Sequence, residues 1–178
     1  MRGFLKRWLG QSLTIALALA GAILLMQAPA LTSEYAAALL QVAQEARRDV
    51  DQREASARRF YSITAEDDAG LLAALGKVEP SNAETLARSI DKARALQRAH
   101  DVIEGQSPLL RPLAALIDQF DDPGSDKRAI GRTLLAAYEI QLAITVAAAV
   151  YGLAGLLAGS FLAQLILALG RGAALTRI

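Results

Sequence analysis

The 178-residue sequence has no cysteine, one histidine and few aromatic residues: four Phe, four Tyr and one Trp. Without cysteine there is no disulfide framework, zinc–thiolate site, iron–sulfur cluster or cysteine nucleophile. His100 stands alone, so nothing at helical spacing supplies the three or four ligands of a transition-metal site. A Ser–His–Asp triad would have to use His100, and no G-x-S-x-G elbow accompanies it. The sequence reads His100 as an exposed helix residue. A glycine-rich phosphate loop is also missing. No long run of one charge sign marks a nucleic-acid footprint.

Acidic residues are missing from both ends. All 18 lie between Glu34 and Glu139. Leu9–Leu31 carries no charge in 23 residues, and Ile140–Gly170 carries none in 31. About 20 apolar helical residues cross a hydrocarbon core roughly 30 Å thick. Both stretches reach that length, so the sequence predicts a membrane protein with a charged region between two spans. The predicted boundaries are 1–8 (N-terminal segment), 9–31 (first span), 32–139 (helical region), 140–170 (second span) and 171–178 (C-terminal segment).

The basic residues set the expected orientation. The central region holds 14 of the 19, against its 18 acids, a balance of −4. The other five are Arg2, Lys6 and Arg7 at one end and Arg171 and Arg177 at the other. Basic residues close to span ends favour the cytoplasmic side. The expected location is a bacterial inner membrane, with both termini cytoplasmic and the central region periplasmic. Ala28-Pro29-Ala30 has the form of a signal-peptide cleavage site. However, Leu9–Met26 is longer than the 7–15 apolar residues of a signal peptide, which favours a retained anchor.

Both spans carry small residues at helical spacing. Gly10, Thr14, Ala18 and Ala22 recur every four residues on the first, with Gly21 beside the last. Ala148, Gly152, Gly155 and Gly159 recur on the second. Apolar side chains gain little by leaving lipid for another helix, so association depends on backbones approaching over small residues. The stripes are candidate packing faces, against each other or against another copy. The second stretch exceeds one crossing, so it is expected to tilt or protrude. Gln141 and Gln164 are candidate interface markers.

The central region predicts helices throughout. Thr32-Ser33-Glu34 reads as a helix start. Leu39, Leu40, Ala43, Ala46, Val50, Ala57 and Phe60 then form a narrow apolar seam, with Glu54 among the polar positions of the opposite face. Arg47, Arg48, Arg53, Arg58 and Arg59 read as a salt-bridged face with Glu45, Asp49 and Glu54. Thr64 with Asp67 opens a shorter helix, which Gly76 is expected to stop. Ser81 with Glu84 forms a capping-box pattern. Leu86, Ala87, Ile90, Ala93, Leu96 and Ile103 continue the seam to Gly105. Leu113, Leu116, Ile117 and Phe120 share one face of the next helix. Asp121-Asp122-Pro123-Gly124 predicts a turn. The last helix is expected to start near Asp126 and run unbroken into the second span. The acid clusters Glu66–Asp68 and Asp118–Asp126 lack the calcium-loop pattern and read as helix starts and turns. The fold class is all-α: two transmembrane helices flanking an antiparallel helical bundle or hairpin domain.

Met1-Arg2-Gly3, a glycine-bearing first span, Gln27-x-Pro29, Tyr35, Leu39 and Glu45 together resemble an uncharacterised bacterial membrane family, domain of unknown function 2937. The resemblance implies an N-terminal span, a helical middle and a C-terminal apolar segment over nearly the whole chain. It implies a retained first span and no catalytic residue or cofactor. It marks Gln27, Pro29 and Tyr35 as a membrane-exit motif. The expected function is that of a non-enzymatic interaction or scaffold module, or an accessory subunit of an envelope complex. The alternative is a ligand-binding or sensory module signalling through a partner protein. The expected partners are the lipid bilayer and either a second copy or another membrane protein, with no nucleic acid.

Overall fold

The structure is a computed structural model that describes residues 2–121, 126–140 and 144–175. It is all-α among the described residues. The helices are α1 (Arg2–Met26), α2 (Ala28–Tyr61), α3 (Asp68–Val78), α4 (Pro80–Glu104), α5 (Arg111–Asp121), α6 (Asp126–Ala137) and α7 (Val146–Leu175). The chain divides into two compact units, Met1–Thr32 with Tyr138–Ile178, and Ser33–Ala137. In the first unit, α1 packs along α7. Two stretches are long and apolar enough to cross a membrane, one in the N-terminal helix and the other at Val146–Leu169.

The unit Ser33–Ala137 is held by two small clusters. In one, Tyr35, Ala36, Leu39 and Ala43 of α2 meet Leu96, Ala99 and Ile103 of α4, and Ala115 of α5 joins them. In the other, Val50 and Ala57 of α2 meet Leu71 and Leu75 of α3 and Ala83, Leu86 and Ile90 of α4. The early part of α2 therefore packs on the late part of α4, and the reverse. Alanine fills much of the seam, which lets helix backbones come close without a thick apolar core.

Several local expectations are corrected, each for a physical reason. Helix α2 starts at Ala28, not at Ser33. Pro29 fits its first turn because an amide there has no intrahelical partner. Thr32 caps nothing; its hydroxyl donates back to the Ala28 carbonyl at 2.8 Å. Helix α2 ends through Ser62, whose φ of 55° is left-handed, with the Ile63 amide reaching back to the Arg58 carbonyl at 3.1 Å. Asp67, not Thr64, caps α3, accepting from the Gly70 amide at 3.3 Å.

Gly76 does not stop α3. The helix runs on to Val78 and ends because Pro80 excludes helical geometry at Glu79, which sits at φ −143°, ψ 79°. Pro80 then opens α4 as its first residue, so Ser81 falls inside the helix and the capping box does not form. Phe60 is 81% exposed rather than part of the seam. Glu54 is 3% exposed rather than on the solvated face. Ala87 is half-buried beside the seam.

Helices α6 and α7 are separate. Thr145 restarts the helix: its side chain accepts from the Ala148 amide at 3.1 Å and its carbonyl from the Ala149 amide at 2.9 Å. That is an N-cap, which favours a fresh start over a continuous helix. The second apolar helix thus begins at Val146, not Ile140, and extends to Leu175, past Gly170. The expected turn at 122–124 and Gln141 lie outside the described residues.

Two outcomes test this account. A left-handed conformation costs a non-glycine residue about 1 kcal/mol or more, so Ser62→Gly is expected to raise the melting temperature of the purified chain. A decrease would contradict the capping geometry. The Tyr35 hydroxyl donates to Asp118 Oδ2 at 3.0 Å. Burial first, and then the Asp118 carboxylate, push the Tyr35 phenol above its ordinary pKa of 10.0. The folded state therefore binds a proton that the unfolded state releases as pH rises past 10.0, and stability falls there. Tyr35→Phe is expected to cost about 2 kcal/mol at neutral pH and to flatten that alkaline loss in thermal-denaturation curves.

Candidate functional site

The small-residue faces of α1 and α7 meet each other. Gly10 lies near Leu167, Gly21 near Gly155, and Gly152 near Ala22 and Met26, so the two helices run in opposite directions. A Cβ placed on Gly21 would stand 2.3 Å from the Gly155 carbonyl oxygen, and one on Gly155 would stand 2.1 Å from that of Gly21. On Gly159 it would stand 2.1 Å from the Leu17 carbonyl and 3.0 Å from the Ala18 Cα. No side-chain movement relieves those contacts, because the obstacles are backbone atoms. Gly152 and Gly10 are looser, with nearest atoms at 3.8 and 3.7 Å.

Burial follows the same line. Ala148 is fully buried, as is Ala163, one helical step beyond Gly159. The sequence reading missed Ala163, although its four-residue spacing from Gly159 carried the signal. Ala18 is buried on α1, with Gly10, Thr14, Gly21 and Ala22 half-buried. The Thr14 hydroxyl donates to the Gly10 carbonyl at 2.9 Å. It is thus satisfied within its own helix, which suits an apolar surrounding. The opposite faces expose Ile15, Leu19 and Leu24 on α1 and Leu153, Leu157 and Phe161 on α7.

A polar junction lies between α1 and α2. Gln27 breaks the helical run, and its carbonyl accepts from the Leu31 amide at 2.9 Å, opening α2. Its buried side chain accepts at Oε1 from the Tyr138 hydroxyl at 2.9 Å. This bond ties the residue after α1 to the segment before α7. The expected exit motif is therefore divided. Gln27 and Pro29 belong to this junction, whereas Tyr35 is 2% exposed in the other unit and bonded to Asp118. Sequence reasoning gave Tyr138 no partner, because 111 residues separate it from Gln27.

In the unit Ser33–Ala137 the charged side chains are largely engaged in structure. Asp118 Oδ1 pairs with Lys127 at 2.5 Å while Oδ2 accepts from Tyr35. Asp68 Oδ2 takes Arg94 at 2.6 Å and Arg47 at 3.5 Å, joining α2, α3 and α4. Arg47 also pairs with Asp51, and Arg53 pairs with Asp49, each at 2.9 Å. Glu45 accepts from Gln41 instead of an arginine.

Buried Glu54 accepts from Arg58 at 3.3 Å through Oε2, while Oε1 has no hydrogen-bond partner among the described residues. Arg58 also donates to the carbonyls of Ala65 and Glu66, so it fastens the loop before α3. His100 is half-buried, not exposed, and lies 3.1 Å from Asp101, whose carboxyl its hydrogen bond holds below the ordinary value. Among the described residues no three His, Cys, Asp or Glu side chains converge as metal ligands would.

An open cleft of about 790 Å³ lies along α2, bordered by Asp49, Arg53, Arg59, Tyr61 and Asn82. A groove of about 580 Å³ between α4 and α5 is bordered by Arg98, Val102, Leu110, Leu113 and Ile117.

A family model described as a protein of unknown function (DUF2937) matches residues 9–174. No curated protein and no solved structure matches the chain.

The crossing makes a graded prediction. Gly155→Leu and Gly21→Leu are expected to separate α1 from α7 and to lower the melting temperature of the detergent-solubilised chain markedly. Gly10→Ala, with only ordinary van der Waals contact ahead of it, is expected to change it little. Equal effects from all three would contradict a backbone-to-backbone crossing.

Proposed function

The chain belongs to the family described as a protein of unknown function (DUF2937), and on that premise we propose a non-enzymatic inner-membrane protein. Its two apolar helices form a bilayer-spanning hairpin. The helical region between them is an antiparallel bundle on the periplasmic side of a bacterial inner membrane. That bundle acts as an interaction or scaffold module, or as an accessory subunit of an envelope complex. The observation that carries the reading is the glycine crossing. Two uncharged helices whose backbones touch over Gly21, Gly155 and Gly159 are built the way helices associate in lipid. Their opposite directions support placing both termini on one side, and the basic flanks support the cytoplasmic side.

The same crossing shifts where a partner would bind. The glycine faces are occupied within the chain, so association with a second copy or another membrane protein falls to the lipid-facing sides of the spans or to the helical region. The engaged acids support a structural use of charge over a chemical one.

A specific observation favours a second reading, a ligand-binding or sensory module. The 790 Å³ cleft carries Arg59, a cation without a partner among the described residues. Thermal-shift screening of the full chain with small anionic metabolites separates the two readings. Stabilisation that Arg59→Ala abolishes supports ligand binding.

The leading reading predicts two results. Single cysteines introduced at Ser56 or Arg88 are expected to react with a membrane-impermeant maleimide in spheroplasts, whereas one at Arg2 reacts only after lysis. Mild-detergent purification at native expression is expected to bring down a partner or a second copy. A strictly monomeric, partner-free chain would contradict the scaffold reading.

A further inference from the structure

Helix α5 is turned inside out for a helix in water. Leu113, Leu116, Ile117 and Phe120 lie on one face and are 51, 53, 67 and 66% exposed, and Leu110 in the turn just before the helix is 50% exposed. The side facing the core offers Ala115, half-buried Ala114 and the Asp118–Tyr35–Lys127 cluster. An amphipathic helix of a soluble domain presents its large apolar side chains inward. A contiguous exposed patch of this kind marks an interaction surface.

Its rim is basic. Arg98 borders the groove between α4 and α5. Arg128 lies over the Phe120 ring, 5.8 Å from its centroid, and donates through Nε to the Gln119 carbonyl at 3.1 Å. Arg132 lines a hollow with Phe120 and Leu135, the latter 61% exposed. None of these three arginines forms an ion pair with a described carboxylate. Of the described acids nearby, Asp118 pairs with Lys127, Glu104 with Arg111 and Asp126 with Lys92, while Asp101 accepts from Gln97 and lies against His100.

We propose that this face is a lipid-contact surface: α5 lies in the interfacial layer of the bilayer, its Leu, Ile and Phe side chains at the acyl boundary and Arg98, Arg128 and Arg132 on anionic headgroups. The inference rests on the two-span reading above. Interfacial helices combine such an apolar face with lysine or arginine beside it. A second copy fits the rim poorly, since a two-fold contact apposes the same patch on both subunits and sets arginine against arginine. The covalent layout also favours lipid. Only Gln27 separates α1 from α2, and residues 138–145 alone join α6 to α7. A short covalent connection at each end keeps the bilayer at high effective concentration, whereas a protein partner must meet this chain by diffusion.

The cysteine-free chain allows the test by single nitroxide labels on the full protein. Vesicles contain phosphatidylethanolamine and phosphatidylglycerol. Labels at Leu113→Cys, Ile117→Cys and Phe120→Cys are expected to collide with oxygen in preference to a water-soluble nickel chelate. Their oxygen-to-nickel ratio should be several-fold above that of an aqueous control, Ser56→Cys. A span control, Leu157→Cys, should show the lipid signature in any case. If Leu157 is lipid-exposed while the α5 labels match Ser56, this inference is overturned and the two-span reading stands. If Leu157 itself reports water, the two-span reading fails first. Labels on α5 shielded from both reagents, with or without spin–spin broadening, indicate a protein contact and overturn the proposal. The triple variant Arg98→Ala, Arg128→Ala, Arg132→Ala, and phosphatidylcholine vesicles with the unaltered rim, are each expected to lower the α5 ratio several-fold. No change in either would overturn the headgroup assignment.

Discussion

The first unit depends on one constraint: at the α1–α7 crossing there is no room for a side chain. The Gly21 and Gly155 carbonyls occupy the space each partner's Cβ would need, and the Leu17 carbonyl does so at Gly159. In lipid, large apolar side chains give two helices little reason to associate, since the acyl chains solvate them equally well. Contact must come from dispersion between closely approaching backbones. The rest of the unit follows from that approach. Met26 comes to lie beside Gly152, and leucine, isoleucine and phenylalanine are left on the outer faces. The Gln27–Tyr138 hydrogen bond joins the segments that continue from the crossed helices.

On the two-span proposal, the unit Ser33–Ala137 uses small residues in a related way under different solvent rules. Alanines at 36, 43, 57, 83 and 99 line its seams, which brings helices close, but here the exclusion of water stabilises the contact. Charged side chains can then work as fasteners. Arg58 spans Glu54 and the loop before α3, and Asp68 collects arginines from α2 and α4. A carboxylate buried as deeply as Glu54 is costly without partners, so its pairing with Arg58 is a condition of the local fold.

Composition and periodicity made the helical class, the two apolar helices and the small-residue faces legible, because each is a local pattern. Features that depend on competition between neighbours were less so. Ser81 and Glu84 have the spacing of a capping box, yet Pro80 fixes the helix start two residues earlier, with Glu79 in the cap position. Gly76 has the residue type of a stop, yet the geometry Pro80 imposes on Glu79 decides the end. Thr145 looked like the interior of a long apolar run and is a cap. The orientation of α5 was illegible because periodicity identifies an apolar face without saying whether that face meets the core. Tyr35 was linked to the membrane exit through the family resemblance, whereas its hydroxyl is committed to Asp118, far along the chain.

Central to the first unit is the crossing of α1 and α7 within one chain. The Met26 Cβ lies 3.8 Å from the position a Cβ would take on Gly152, within the spacing a disulfide requires. The most direct measurement is oxidation of the double variant Met26→Cys, Gly152→Cys in native membranes, beside a Leu24→Cys, Leu153→Cys pair on the exposed faces. The account predicts rapid intramolecular cross-linking of the first pair and none of the second. Failure of the first pair, or cross-links formed only between chains, would contradict it.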